Sequence, residues 1–302
     1  MKRKDFPDSK DDRIEKGVTC TGAPEGPFFI IFTDLDGTLL DHETYEWKPA
    51  LPAIEECKRR KFPIVPVSSK TRAEIEVIVK QMAISSPFVS ENGGGIFFSP
   101  LDSYGHPDGA FFDKGLWKLS LGFPYSRLSE ALKEIGAEAG IGLRGFSDMT
   151  TGEIRRLTGL KRMEAERAAE REFDEPFMII GKGEHKLEEI EQAAGKRRLI
   201  VTRGGRFFHL QGRNGKSEAL KIVSAWYREK KEQVVSIALG DSPNDFGMLE
   251  SADLPVLIRS SLDYSWLKGR IPRLSITEST GPGAWNSAVL DIFKNYQGGN
   301  NG

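Results

Sequence analysis

The chain of 302 residues carries 43 Lys and Arg against 44 Asp and Glu, and its 38% apolar and 29% charged residues describe a soluble globular protein of one large or two moderate domains. A net charge of −1 gives no general pull toward nucleic acid or an anionic membrane, so any affinity for anions is local. No apolar run reaches the roughly eighteen residues of a membrane span, and none follows the basic start Met1-Lys2-Arg3-Lys4, which argues against a secretory signal.

Residues 1–26 mix Lys, Asp, Gly, Pro and Ser with few apolar residues, the composition of a flexible leader. Phe28 to Phe32 are five consecutive apolar residues, too short for a helix and without alternation, and they predict a strand buried on both faces of a parallel sheet. Asp41 to Trp47 reads as a loop, and Pro49 to Arg60 as a helix with Leu51, Ile54 and Cys57 on its apolar face. Phe62 to Val67 is a second core strand whose two prolines require it to be short or near an edge. Thr71 to Met82 is helical, and Pro87 to Val89 is a brief third strand ending in Ser90-Glu91-Asn92-Gly93-Gly94-Gly95. Those glycines suit either a close approach to a ligand or a tight hairpin.

From about Ile96 to Gln211 the character changes to a second α+β unit. Helices are expected at Tyr125–Ala139, Gly152–Leu157, Lys161–Glu172 and Lys186–Ala194, and strands at Pro176–Ile180, Leu199–Thr202 and Phe207–Leu210. Arg203-Gly204-Gly205-Arg206 joins the last two strands as a hairpin with two guanidinium groups at its tip, either solvated or free to clamp an anion. Gly212 to Ser217 fails as a P-loop, because the first glycine of that motif falls on Leu210. Lys216 instead opens an amphipathic helix, followed by a strand at Val234–Leu239, a helix at Phe246–Ser251, a strand at Leu254–Ile258 and a last helix reaching Tyr296. Cys20 and Cys57 cannot form a disulfide framework and adjoin no histidine, which suits a reducing cytoplasm.

Two strands end in carboxylates. Phe28–Phe32 runs into Asp34 and Asp36, which share a side of an extended chain, and Val234–Leu239 runs into Gly240-Asp241-Ser242-Pro243-Asn244-Asp245. Asp and Gly are also ordinary turn residues, so one such motif alone leaves a plain turn open. Open α/β sheets bind ligands at the carboxyl edge, where two acids suit a nucleophile paired with a general acid/base. Four acids gathered there repel one another by about 4 kcal/mol per pair at ~4 Å in a medium of dielectric ~20. A divalent ion relieves that cost, and oxygen ligands without Cys or His favour Mg²⁺ over Zn²⁺.

Asp34-Leu35-Asp36-Gly37-Thr38, Ser68 after the second strand, Lys216 and the Gly240–Asp245 motif, in this order, resemble the haloacid dehalogenase (HAD) superfamily of phosphotransferases. The resemblance implies an α/β fold, a Rossmann-like core of residues 27–97 and 211–302 with a parallel sheet, and an inserted α+β cap of the C2B type at 98–210. It also implies roles. Asp34 is the nucleophile that forms an aspartyl-phosphate, Asp36 the general acid/base, Ser68 and Lys216 the holders of phosphoryl oxygens. Asp34, the Asp36 backbone carbonyl, Asp241 and Asp245 are the Mg²⁺ ligands, oriented by Asn244.

Within the superfamily, Val67–Thr71, Ser90–Gly94, Lys114–Leu121, Arg203–Arg206 and Thr280–Trp285 are similar to the mannosyl-3-phosphoglycerate phosphatases. The implied partner is a small phosphorylated sugar-glycerate, with no nucleic acid and no membrane. Lys70, Arg203 and Arg206 are its expected anion contacts, and Glu91 and Asn92 its hydroxyl contacts. The alternatives are a phosphatase for glucosyl-3-phosphoglycerate or another sugar phosphate, a phosphohexomutase, or an inactive sugar-phosphate binding module.

Overall fold

The computed structural model describes residues 26–181, 183–204 and 206–296. The expected leader and Cys20 therefore lie outside the described residues, apart from Gly26. The chain opens with β1 (Phe28–Thr33), α1 (Leu51–Arg60), β2 (Ile64–Pro66), α2 (Arg72–Gln81), β3 (Phe88–Ser90), β4 (Gly95–Phe98), β5 (Phe111–Asp113) and β6 (Leu116–Ser120). It continues with α3 (Tyr125–Ala139), β7 (Leu143–Gly145), α4 (Thr151–Thr158), α5 (Arg162–Ala168), β8 (Asp174–Ile179), α6 (Leu187–Lys196), β9 (Ile200–Arg203) and β10 (Phe208–Gln211). It closes with α7 (Lys216–Arg228), β11 (Val234–Gly240), α8 (Phe246–Ser251), β12 (Leu254–Arg259), α9 (Leu267–Arg270), β13 (Ser275–Thr280) and α10 (Gly281–Asn295).

The first sheet is parallel and has the order β13-β12-β11-β1-β2. Its β1 has no apolar–polar alternation because both of its faces are covered. Phe29 and Ile31 join one apolar cluster with Cys57 and Trp285, while Ile30 and Phe32 join another with Leu220, Val223 and Leu249. The two prolines of 62–67 are accommodated as the sequence requires, since β2 is only three residues long. A single bridge, Val67 to Val89, carries the pairing on to β3.

The antiparallel sheet β3-β4-β6-β5 continues from there, and it contains three strands that hydropathy did not reveal. The hairpin of β5 and β6 turns through Lys114 and Gly115, both at positive φ, a two-residue turn closed by the Asp113–Leu116 pair. Residue 98, the expected start of the cap, is thus the end of β4, and the chain remains in this sheet to Ser120. A separate antiparallel sheet, β7-β8-β10-β9, is covered by α3 and α6 through Leu128, Leu132, Ile135, Phe177, Ile190 and Leu210. This is the α/β core with an added α+β unit that the sequence predicts.

The helix expected to run to Glu172 stops at Ala168. Tertiary hydrogen bonds win over helical periodicity there. The backbone N–H groups of Glu172 and Phe173 donate to the Glu91 carboxylate at 2.8–3.2 Å, and Arg171 donates to the Ser69 carbonyl at 2.9 Å.

Trp285, on α10, is fully buried and donates from Nε1 to Thr33 Oγ1 at 3.0 Å, while that hydroxyl donates to the Asp34 carbonyl at 2.7 Å. The indole thus fixes the end of β1 from behind. Trp285→Ala is expected to cost about 3–5 kcal/mol of stability, read as a fall in the urea midpoint.

Candidate active site

Parallel pairing of β1 with β11 sets Thr33 beside Leu239, so the residues that follow both strands emerge together at the carboxyl edge of the sheet. The Asp34 N–H donates to the Leu239 carbonyl at 2.9 Å, which locks the two turns to each other. Oxygens of Asp34, Asp241 and Asp245 then lie within 4.8 Å of one another. Gly37, at φ +78°, is what allows this approach, because a Cβ there would stand 2.6 Å from Asp241 Oδ2.

Lys216, the first residue of α7, projects its ammonium into the cluster. It lies 2.5 Å from Asp34 Oδ1 and 2.7 Å from Asp245 Oδ1, and all three side chains are nearly or fully buried. Burial pushes the Asp34 carboxyl well above the usual carboxylate range, with Asp245 and Asp36 adding to the effect against Lys216. Burial likewise lifts Asp241 to about 6, helped by Asp245. For Lys216, burial alone lowers the pKa, yet Asp245 and Asp34 outweigh it and hold the group charged. Asp245 Oδ2 accepts from the N–H groups of Asp241 and Ser242, both at 3.1 Å, and so shapes its own turn. Asn244 accepts from the Ser242 hydroxyl and, among the described residues, hydrogen-bonds to no carboxylate.

Asp36 faces Lys70, whose Nζ is 2.9 Å from Oδ2, while Asp36 Oδ1 is buried without a partner. Ser68 is buried on the neighbouring strand end, where the Val67 N–H bonds to the Thr33 carbonyl, and its hydroxyl accepts from the Lys70 N–H at 3.2 Å. Four carboxylates, Asp34, Asp36, Asp241 and Asp245, thus face two ammonium groups, Lys70 and Lys216, which leaves two negative charges when all are ionised. Among the described residues the Asp241 side chain accepts only from the Thr38 hydroxyl, at 3.3 Å. An all-oxygen donor set with this surplus fits a divalent metal ion. Thr38 is part of the Asp-x-Asp-Gly-Thr motif, but nothing in its position along the chain announces a bond to residue 241.

The expected substrate contacts fare differently. Asn92, at φ +55°, donates its N–H to the Ser68 carbonyl and leaves its buried Oδ1 unpartnered beside the site. Glu91 is not a free hydroxyl partner, since it is fully buried and its carboxylate oxygens accept from Glu172 and Phe173. Arg206 donates to the Leu157 and Thr158 carbonyls at the end of α4, and Arg203 lies over the Phe208 ring, so their bonds tie them to the cap. Residue 205 of that hairpin lies outside the described residues.

Comparison with known proteins agrees with this geometry. A family model for haloacid dehalogenase-like hydrolases matches residues 31–103. A Methanococcoides burtonii protein named glucosyl-3-phosphoglycerate/mannosyl-3-phosphoglycerate phosphatase is 37% identical over 87% of this chain and 97% of its own length. The chain belongs to the haloacid dehalogenase-like hydrolases. As a member of that family it is a phosphoric monoester hydrolase. A further relative, the mannosyl-3-phosphoglycerate phosphatase of Pyrococcus furiosus, is 34% identical over 76% of this chain and 90% of its own. Solved HAD structures share the fold. A haloacid dehalogenase-like hydrolase from Bacteroides thetaiotaomicron superposes with a TM-score of 0.61 at 15% identity, covering 89% of this chain and 100% of that one. The sucrose-phosphatase of Synechocystis gives 0.56 at 16% identity, covering 89% and 98%.

Burial raises the Glu91 carboxyl to about 8, overcoming Arg171 and the two N–H donors that hold it down. The folded protein therefore keeps a proton that the unfolded chain releases near its ordinary value of 4.5. The stability this contributes is fully present below that value and declines as pH rises to about 8. Urea midpoints measured between these limits should fall with pH in the wild type and fall less in Glu91→Gln; parallel slopes would assign the dependence elsewhere.

Proposed function

We propose that the protein hydrolyses mannosyl-3-phosphoglycerate to mannosylglycerate and inorganic phosphate. Glucosyl-3-phosphoglycerate is the second substrate this reading favours, because two relatives at 37% identity are named for both. The observation that carries the reading is the Asp34–Lys216–Asp245 cluster at the sheet edge, with Asp36 beside it.

A phosphate monoester repels nucleophiles, so its charge must be neutralised while an oxygen attacks in line. Lys216 and Ser68 hold the phosphoryl oxygens. An Asp34 carboxylate oxygen bonds to phosphorus, and the glyceryl oxygen departs with a proton from Asp36. Water then attacks the aspartyl-phosphate, giving its proton back to Asp36, and releases phosphate. The unpartnered Asp36 Oδ1 is free to carry that proton, while Lys70 anchors the other oxygen. Asp34, Asp241 and Asp245, with the Asp36 carbonyl, would hold a Mg²⁺ ion, which when bound supplies positive charge to the phosphoryl group. The unit from Gly122 to Gln211 acts as the cap, excluding water and contributing the rest of the substrate contacts. A cytoplasmic location fits the small-molecule reaction and the two cysteines.

Phosphate release from mannosyl- and glucosyl-3-phosphoglycerate, 3-phosphoglycerate and mannose 6-phosphate tests the assignment. The glycosylated esters should react best, and a chelator should abolish turnover; reaction with the simple esters alone would reject the substrate. Asp34→Asn is expected to remove activity, and Asp36→Asn to lower it by about 10²- to 10⁴-fold. Full activity in the Asp34 variant would reject the nucleophile.

A further inference from the structure

A cavity of about 230 Å³ opens between the core and the cap unit, next to the acid/base. Tyr45 and Trp47 from the loop after β1, Lys70 from the turn before α2, Gln81 at the end of α2, and Glu164 and Arg167 of α5 contribute to its walls. The volume is below the roughly 300–1,000 Å³ of sites for drug-sized ligands, and suits a single sugar ring.

The aromatic wall is built rather than incidental. Asp41 Oδ1 accepts from the N–H and hydroxyl of Thr44 at 2.9 and 2.8 Å, Glu46 Oε1 accepts from the N–H groups of Trp47 and Lys48, and the Asp41 N–H closes the loop onto the Glu46 carbonyl. This lock holds Tyr45 at φ +57° with half of its surface exposed. A left-handed non-glycine residue is strained, and a half-exposed ring recovers little of that strain from packing. The strain is understandable where the presented ring has a ligand.

Lys70 joins this cavity to the chemistry. Its ammonium is 5.1 Å from the Tyr45 ring centroid and 2.9 Å from Asp36 Oδ2. The cavity therefore lies on the side of Asp36, the group that protonates the leaving oxygen, and not on the side of Lys216. Whatever is attached to the leaving oxygen extends toward it. In the same lining, the Arg167 and Gln81 side chains have no hydrogen-bond or ion-pair partner among the described residues, and the Arg167 carbonyl is pinned by the Thr71 hydroxyl at 2.8 Å. Unpaired donors in a cavity with an aromatic wall suit an amphipathic, hydroxylated ring.

We propose that this cavity is the sugar subsite, with the C–H face of the hexosyl ring against Tyr45 and Trp47 and its hydroxyls bonded to Gln81, Glu164 and Arg167. The subsite rests on the substrate reading above, and adds that discrimination between a glycosylated and a plain phosphoglycerate resides in the 41–47 loop and α5.

Steady-state kinetics on mannosyl-3-phosphoglycerate and 3-phosphoglycerate, with wild type, Tyr45→Ala, Tyr45→Phe and Arg167→Ala, tests it. The glycosylated-to-plain ratio of kcat/KM should fall about tenfold or more in Tyr45→Ala and Arg167→Ala, chiefly through KM for the glycosylated ester, and Tyr45→Phe should retain most of it. An unchanged ratio in both alanine variants, with wild type still preferring the glycosylated ester, overturns the subsite and leaves the substrate reading intact. A wild type with no such preference overturns the substrate reading and the subsite with it.

Discussion

One ammonium group between two buried carboxylates holds this protein's working edge together. Asp34 comes from the end of β1 and Asp245 from the turn after β11, and Lys216 is the cation that these two buried carboxylates share. The lysine's own placement depends on backbone packing. A Cβ on Gly93 would stand 2.4 Å from the Gly215 carbonyl, so the hairpin between β3 and β4 abuts the start of α7. Charge and sterics converge on the same few ångströms of chain.

Around that centre the fold divides its labour. The parallel sheet delivers Asp34, Ser68 and Asp241 from strand ends, and helix starts deliver Lys216 and the Thr71 capping box that fixes the turn after Ser68. The added α+β unit supplies none of the four acids. Acids on rigid strand ends leave loops and the added unit free to vary, which is how one scaffold can serve different ligands.

Much of the core was legible because its signals are local. A five-residue apolar run followed by Asp34 and Asp36 reads as strand and edge, and Tyr125–Ala139 and Phe246–Ser251 form helices over the spans that periodicity predicts. The residues that escaped depend on contacts far apart in sequence. Glu91 looks like a polar loop residue until the Glu172 and Phe173 amides, some eighty positions away, are seen to occupy it. The same contacts shortened α5, whose composition gives no hint of a stop. Arg203 and Arg206 carry a charge pattern that suits anion binding, yet an aromatic ring and two helix-end carbonyls engage them. Strands β5 and β6 were missed because both are short and partly exposed and so show little hydropathic contrast.

The contacts that stop α5 also bear on how the two units part company. The Glu91 grip on two amides, the Arg171 bond to the Ser69 carbonyl and the Thr71 bond to the Arg167 carbonyl all lie within one short stretch of chain. Moving that stretch away from the sheet cannot break one of them alone. The stretch is thereby fastened to the sheet as a unit, more a snap-fastener than a single hook, by a handful of polar bonds, two of which end on residues that closely follow Ser68 in the chain.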